Sequence, residues 1–189
     1  MKKLLFICCM LLSSCSVFHK DIITASYYSI SGDFQVLNSN CNKCRTVMIK
    51  VITPDFLNKG GIGYYKGDKL ILSKNNLWTN KLNTMLQDVA ADSVNVAKSG
   101  QVMAFSPVSK PLGVEIQNEL KITIYSFNGT ADGQAEISGK YFFTKDDQTV
   151  TQGLFNVKTQ LQGDGFNNLV QALNENWIKI CNSMIKDLF

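Results

Sequence analysis

Histidine is almost missing from this chain: His19 is the only one among 189 residues. Any chemistry that needs two imidazoles is therefore excluded, which removes most zinc hydrolases and many proton relays. Charge of one sign is also scarce. Nineteen basic against fifteen acidic side chains leave a net charge of +4, scattered along the sequence. That is too little for the basic face that nucleic acid requires. Neither G-x-S-x-G nor H-E-x-x-H occurs, so the strained serine turn and the paired-histidine zinc helix are both absent. What is present is enough apolar material for a core, with 45% hydrophobic and 18% charged residues, so global disorder is excluded. The length fits a single domain. Composition points away from an enzyme.

The amino-terminal segment reads as an address. Lys2 and Lys3 precede the apolar run 4–12 (LLFICCMLL). Those nine residues rise only about 14 Å as a helix, against roughly 30 Å of hydrocarbon. A basic start, a short apolar stretch and then small residues describe a signal peptide. Leu12-Ser13-Ser14-Cys15 looks like a bacterial lipobox, in which the Cys15 thiol takes a diacylglycerol and the new amino terminus a further acyl chain. Residues 1–14 are then the signal peptide and residues 15–26 a lipid-anchored tether. Several acyl chains hold a protein firmly to one leaflet, at about 0.8 kcal/mol per buried methylene. Ser16, in place of the aspartate that retains lipoproteins in the inner membrane, directs the expectation to the periplasmic side of the outer membrane. The stretch 16–26 extends to at most about 35–40 Å.

Hydrophobic periodicity organises the remainder, residues 27–189, into one α+β domain, an antiparallel or mixed β-sheet with two amphipathic helices packed on it. Residues 46–52 alternate, with Val47, Ile49 and Val51 on one side, and Pro54-Asp55 ends the strand. Residues 59–63 (KGGIG) read as a flexible loop, followed by a short strand at 69–73. A helix is expected over 77–96, capped by Asn75-Asn76. Three strands follow at 114–127, 133–144 and 150–161, joined by hairpin connections at 128–133 and at Lys145-Asp146-Asp147. The last helix is the clearest element: Leu169, Leu173, Trp177, Ile180, Met184 and Leu188 recur at three- and four-residue steps. Asp164 is its expected cap.

Several features invite a chemical reading. Cys41-Asn42-Lys43-Cys44 can be a redox centre, half a metal site or a structural disulfide. It lies in a polar turn before a strand, where no helix end would lower a thiol pKa, and too few ligands accompany it for zinc. Cys181, on the apolar face of the last helix, is either a small core residue or the partner of one of the pair. Gly61-Ile62-Gly63 lacks the following helix of a dinucleotide loop, and Gly139-Lys140 lies in a strand pattern without the Ser/Thr of a phosphate loop. No metal and no cofactor beyond the acyl groups on Cys15 is expected. Aromatics in or near loops, Tyr27, Tyr28, Phe56, Tyr64, Tyr65 and Trp78, either mark a partner surface or lipid contact, or close the core and sheet edges.

Taken in order, the motifs carry a resemblance. The lipobox is followed by Tyr27-Tyr28-Ser29-Ile30, then Val51-Ile52-Thr53-Pro54-Asp55-Phe56-Leu57, then Asn75-Asn76-Leu77-Trp78. Phe127-Asn128-Gly129 and Ser138-Gly139-Lys140-Tyr141 come after. The series resembles the ABC-type transport auxiliary lipoprotein family over nearly the whole domain. The resemblance implies a non-enzymatic accessory on the inner leaflet of the outer membrane. Its partner would be a periplasm-spanning MCE-domain protein, one of a class that forms tubes or rings carrying phospholipid between membranes. The cysteines Cys41, Cys44 and Cys181 fall outside the family pattern. On this footing the chain is a docking component, self-associating in a ring or acting singly, with Tyr64, Tyr65, Asn76 and Trp78 as the candidate partner surface. The alternatives are a lipid-binding carrier, which requires an apolar pocket of roughly several hundred Å³, and an outer-membrane assembly factor.

Overall fold

The computed structural model describes residues 24–34, 41, 43–145 and 148–189. The signal peptide, Cys15, His19 and most of the tether lie outside the described residues, as do Asp146 and Asp147 of the expected hairpin connection. In chain order the elements are β1 (Ser26–Tyr28), β2 (Arg45–Ile52), a 3-10 turn (Asp55–Asn58), β3 (Gly61–Lys66), β4 (Lys69–Trp78), α1 (Leu82–Ala97), β5 (Val102–Phe105), β6 (Asn118–Gly129), β7 (Gln134–Lys145), β8 (Gln148–Gln160) and α2 (Phe166–Leu188). The α+β expectation, a mixed sheet with two helices, is met.

Strand β6 is the spine of an eight-stranded sheet. One edge pairs antiparallel with β7 along its length, and β8 continues outward, antiparallel to β7. The other edge is shared. Its first half, Asn118 to Thr123, pairs parallel with β2, and its last residue, Gly129, meets Tyr64 of β3. The sheet therefore forks: β5 lies outside β2, while β4 and then β1 lie outside β3. The alternation in β2 puts Val47, Ile49 and Val51 in the core, each at most 2% exposed. In β6, Leu120, Ile122 and Ile124 face inward as their spacing demands. A bulge between Ile124 and Ser126 then shifts the phase, so Tyr125 stays outside and Phe127 becomes fully buried.

The apolar stripe of α2 covers one sheet face, with Leu173 and Trp177 fully buried. The Trp177 indole N–H donates to the Leu86 carbonyl at 3.2 Å, which ties α2 to α1 and satisfies a buried donor. Helix α1 also completes the sheet. Strand β5 pairs only with Arg45 to Met48 of β2, leaving the Val51 N–H beyond its reach. The buried Gln87 side chain accepts that N–H at 3.0 Å.

Several expectations need correction. Residues 59–63 are not a loop throughout: Gly60 turns at φ +92, and Gly61 already opens β3. A Cβ at Gly61 would stand 2.4 Å from the Ser73 carbonyl oxygen, so glycine here permits close strand approach rather than flexibility. Asn75 and Asn76 do not cap a helix; they continue β4 to Trp78, and α1 begins at Leu82. The Asn83 N–H in its first turn is instead accepted by Asn58 of the 3-10 turn at 3.2 Å, a cap supplied from a distant segment. Asp164 makes no side-chain cap; Gly165, at φ +96, holds that position in α2. Asn128 and Gly129 belong to β6, so the β6–β7 turn is confined to 130–133. The short strands β1 and β5 were not expected.

Candidate functional site

The strand directions give the sheet two poles. One carries the β3–β4 hairpin turn, the turn after β6 and the start of α2. The other carries the start of β2, the end of α1 and the loop 106–117 between β5 and β6. Strand β1 runs parallel to β4, with Ser26 opposite Asn76 and Tyr28 opposite Trp78. The chain thus arrives from the first pole, the side from which a tether would come.

The four residues proposed as one partner surface are split by the structure. Trp78 is only 4% exposed and packs edge-on against Phe127 at 6.0 Å, so it belongs to the core. Asn76 is half-buried; its amide contacts the Ser73 hydroxyl at 3.1 Å, and its carbonyl accepts the Tyr28 hydroxyl at 3.4 Å. Tyr64 stands edge-on to Phe166, the first residue of α2, with centroids 5.6 Å apart. Tyr65 alone is exposed, at 38%. Alternation along β3 turns Tyr64 and Tyr65 to opposite faces, whereas Asn76 and Trp78 share a face of β4 and differ in depth, Trp78 lying over Phe127.

The opposite pole carries what the motif reading passed over. In the loop 106–117, Val108 is 78% exposed and Leu112 wholly so, two aliphatic side chains held in water. The loop is not slack. Ser106 is fully buried, and its N–H donates to the Ser109 hydroxyl at 2.9 Å. Pro107 and Pro111 further restrict it. The S-P-V-S-K-P-L-G string was the available signal: two prolines bracket a turn, and the intervening aliphatics have no periodic partner.

Behind this loop lies an open hollow of about 520 Å³, lined by Asp88, Asp92, Asn95, Phe105 and Val108. Burial, and secondarily the neighbouring Asp88, push the Asp92 carboxyl above its usual range. Two carboxylates make this hollow hostile to a phosphate headgroup. A second hollow, about 250 Å³, lies between β8 and α2 beside Leu154, Phe155, Ile180 and Met184. At its rim the Tyr141 hydroxyl donates to Asp187 at 3.4 Å. Desolvation first, and then Asp187, raise the tyrosine pKa. Both hollows are open grooves, and neither combines the enclosed apolar walls and cationic mouth that would suit an acyl carrier.

Cys41 and Cys44 are joined in a disulfide. It sits at the second pole, with Cys41 Sγ 3.4 Å from the Gly100 carbonyl. Cys181 is buried and free, and burial drives its thiol far above the ordinary range, which is the condition of an inert core thiol. Among the described residues no group of three or more acidic, cysteine or histidine side chains is placed to hold a metal ion.

Against known proteins, the sequence pattern described as the ABC-type transport auxiliary lipoprotein component matches residues 37–184. The chain belongs to this family. Within curated proteins, the auxiliary lipoprotein is 30% identical over 142 residues to the intermembrane transport lipoprotein PqiC of Escherichia coli (strain K12). The match covers 74% of this chain and 72% of the relative, and the Shigella flexneri protein of the same name matches equally. Two crystal structures share the auxiliary lipoprotein's fold. An uncharacterized protein superposes with a TM-score of 0.73 at 24% identity, covering 88% of this chain and 99% of that one. A Xanthomonas campestris protein does so with a TM-score of 0.69 at 13% identity, covering 85% and 93%. No described helix of the auxiliary lipoprotein is long and apolar enough to cross a membrane.

Proposed function

We propose that this auxiliary lipoprotein serves intermembrane lipid transport as a non-enzymatic docking component. It is anchored through acyl groups on Cys15 to the periplasmic side of the outer membrane, and its partner is a periplasm-spanning MCE-domain protein. The observation that carries the docking reading is the polarity of the domain. The chain enters at one pole, and the exposed aliphatics Val108 and Leu112 stand on a braced loop at the other. Two exposed aliphatic side chains close together on an ordered loop offer apolar area that a partner protein can bury. Their position, turned away from the tether, suits a partner that approaches from the periplasm. Kinship with PqiC supports a role in intermembrane transport.

The test is affinity recovery from native membranes with tagged protein that keeps Cys15. Capture of an MCE-domain protein by the native chain, and its loss in a Val108→Asp, Leu112→Asp double variant of unchanged thermal stability, supports the reading. Capture that the double variant leaves intact overturns this surface. Recovery of outer-membrane assembly proteins alone overturns the docking function. Stoichiometric phospholipid on the purified Cys15→Ser chain would instead favour the carrier alternative.

A further inference from the structure

The β3–β4 hairpin forms a ribbon that the rest of the sheet only partly covers. Strand β1 pairs with Asn76, Leu77 and Trp78 of β4, so the edge of β4 from Lys69 onward has no strand beside it among the described residues. The ribbon reads Tyr64-Tyr65-Lys66-Gly67-Asp68-Lys69-Leu70-Ile71-Leu72. Tyr65 is exposed, Leu70, Ile71 and Leu72 are only partly buried, and Lys66 and Lys69 flank the turn in solvent. Gly67 makes the turn at φ +59. The base is rigid. Tyr64 is held against Phe166, and Gly129 admits the Leu169 side chain so closely that a Cβ there would lie 3.1 Å from it.

The position of the ribbon relative to the tether decides its use. Because β1 and β4 are parallel, the chain reaches Ser26 from the hairpin side. From the level of Asn76, where Ser26 pairs, to Lys69 at the turn is roughly 20–25 Å of strand. The segment 16–26 reaches at most about 35–40 Å. A bilayer holding Cys15 therefore lies within the tether's reach on the side to which the hairpin projects.

We infer that the tip of the β3–β4 hairpin contacts the anchoring bilayer, with Tyr65, Leu70 and Ile71 at the headgroup boundary and Lys66 and Lys69 on anionic phospholipid headgroups. This rests on the Cys15 anchoring proposed above. Tyrosine is favoured at such a boundary because its ring is apolar and its hydroxyl stays wet. Lysine lays its stem along apolar surface and keeps its ammonium group at the phosphates. The hairpin 61–78 carries Lys66, Lys69 and Lys74 against Asp68 alone, so its charge is complementary to an anionic leaflet. Contact at this pole would fix the orientation of the domain and present the opposite pole to the periplasm.

The test uses the full acylated protein in vesicles of phosphatidylethanolamine and phosphatidylglycerol. An Asp68→Cys variant carries an environment-sensitive fluorophore; the acylated Cys15, the disulfide and the buried Cys181 leave that thiol as the reactive one. Lys69→Cys provides a second labelling site, and Leu112→Cys marks the far pole. With quencher-bearing lipid the labels at 68 and 69 are expected to lose most of their emission and shift to the blue, while the label at 112 keeps its intensity. Acylated, vesicle-bound protein whose labels at 68 and 69 stay as bright as that at 112 overturns this inference and leaves anchoring intact. Protein that remains unbound, with an unmodified Cys15 by mass spectrometry, overturns the anchoring reading and this inference with it. Independently, Lys66→Gln with Lys69→Gln should weaken adsorption of the Cys15→Ser chain to these vesicles by about 10–30-fold. Unchanged adsorption refutes the electrostatic part.

Discussion

Gln87 offers a direct test of how α1 completes the sheet. Its side-chain oxygen is the acceptor for the Val51 N–H, which lies beyond the last β5 pairing on that edge of β2. Both groups are buried. Gln87→Leu keeps nearly the same volume and removes the acceptor. A buried amide left without a partner costs about 1–3 kcal/mol, and the added apolar burial returns part of this. In a domain of this size each kcal/mol lowers the melting temperature by about 2–4 °C, so a fall of about 2–8 °C is expected in calorimetry. Gln87→Glu separates the hydrogen bond from the volume. Burial raises the folded-state pKa of a carboxyl at this site. The folded protein then holds its proton to higher pH than the unfolded chain, so stability is present at acid pH and declines as pH rises through the folded pKa. A Gln87→Leu variant melting at or above the native temperature would refute the role assigned to this acceptor, whereas Gln87→Glu stability that rises with pH would mean that the Val51 N–H bond to the carboxylate outweighs its desolvation.

Three further outcomes are expected. Gly139→Ala should destabilise by about 1–3 kcal/mol, because its Cβ would lie 2.3 Å from the Thr123 carbonyl oxygen and 2.6 Å from the Phe155 ring; a chemical denaturation midpoint equal to the native one would contradict this packing. Asp92→Asn should stabilise the protein at neutral pH and have no effect well below the ordinary carboxylate range. The carboxyl pKa is raised by burial and by Asp88, so the ionised form opposes folding and stability is lost as pH rises through the folded pKa; a benefit that is largest at acid pH would contradict the sign. After reduction, Cys41 and Cys44 should react with maleimide in the folded protein, whereas Cys181 should react only in denaturant; mass spectrometry of labelled peptides reads this.

The parts of the fold legible in the sequence are those where one face is wet and the other dry. Strand β2, strands β6 to β8 and helix α2 declare themselves because their apolar residues recur at the period of the element. What stayed hidden has a different physical origin. Strand β1 has three residues and β5 has four, too few for any period to show. Gly61 and Gly63 read as loop residues because glycine is usually placed for flexibility, whereas here Gly61 lets two backbones approach. The cap of α1 comes from Asn58, outside the helix and its immediate flank, where local motif reading does not look. The candidate partner surface fared similarly. Tyr64, Tyr65, Asn76 and Trp78 lie along one hairpin, but alternation parts Tyr64 from Tyr65, and Trp78 is sunk against Phe127 while Asn76 stays half-buried. Val108 and Leu112 were overlooked because two aliphatics in a proline-bracketed turn resemble ordinary loop composition until their exposure is known.

The fork at β6 also bears on the order in which the chain can fold. Strands β6, β7 and β8 are consecutive and joined by short turns, so their pairings close small loops. Strand β2, by contrast, completes its pairing only after Asn118 and the residues following it have been made, since Val47 to Ile52 pair with Asn118 to Thr123. Closing large loops is entropically costly and slows folding. The meander with α2 is thus expected to acquire amide protection first in pulsed hydrogen exchange, and β2 and β5 last; simultaneous protection of all three would argue against this order. In a polypeptide emerging from its amino terminus, the β3–β4 hairpin could close early, while the inner edge of β2 would wait for a template that arrives later.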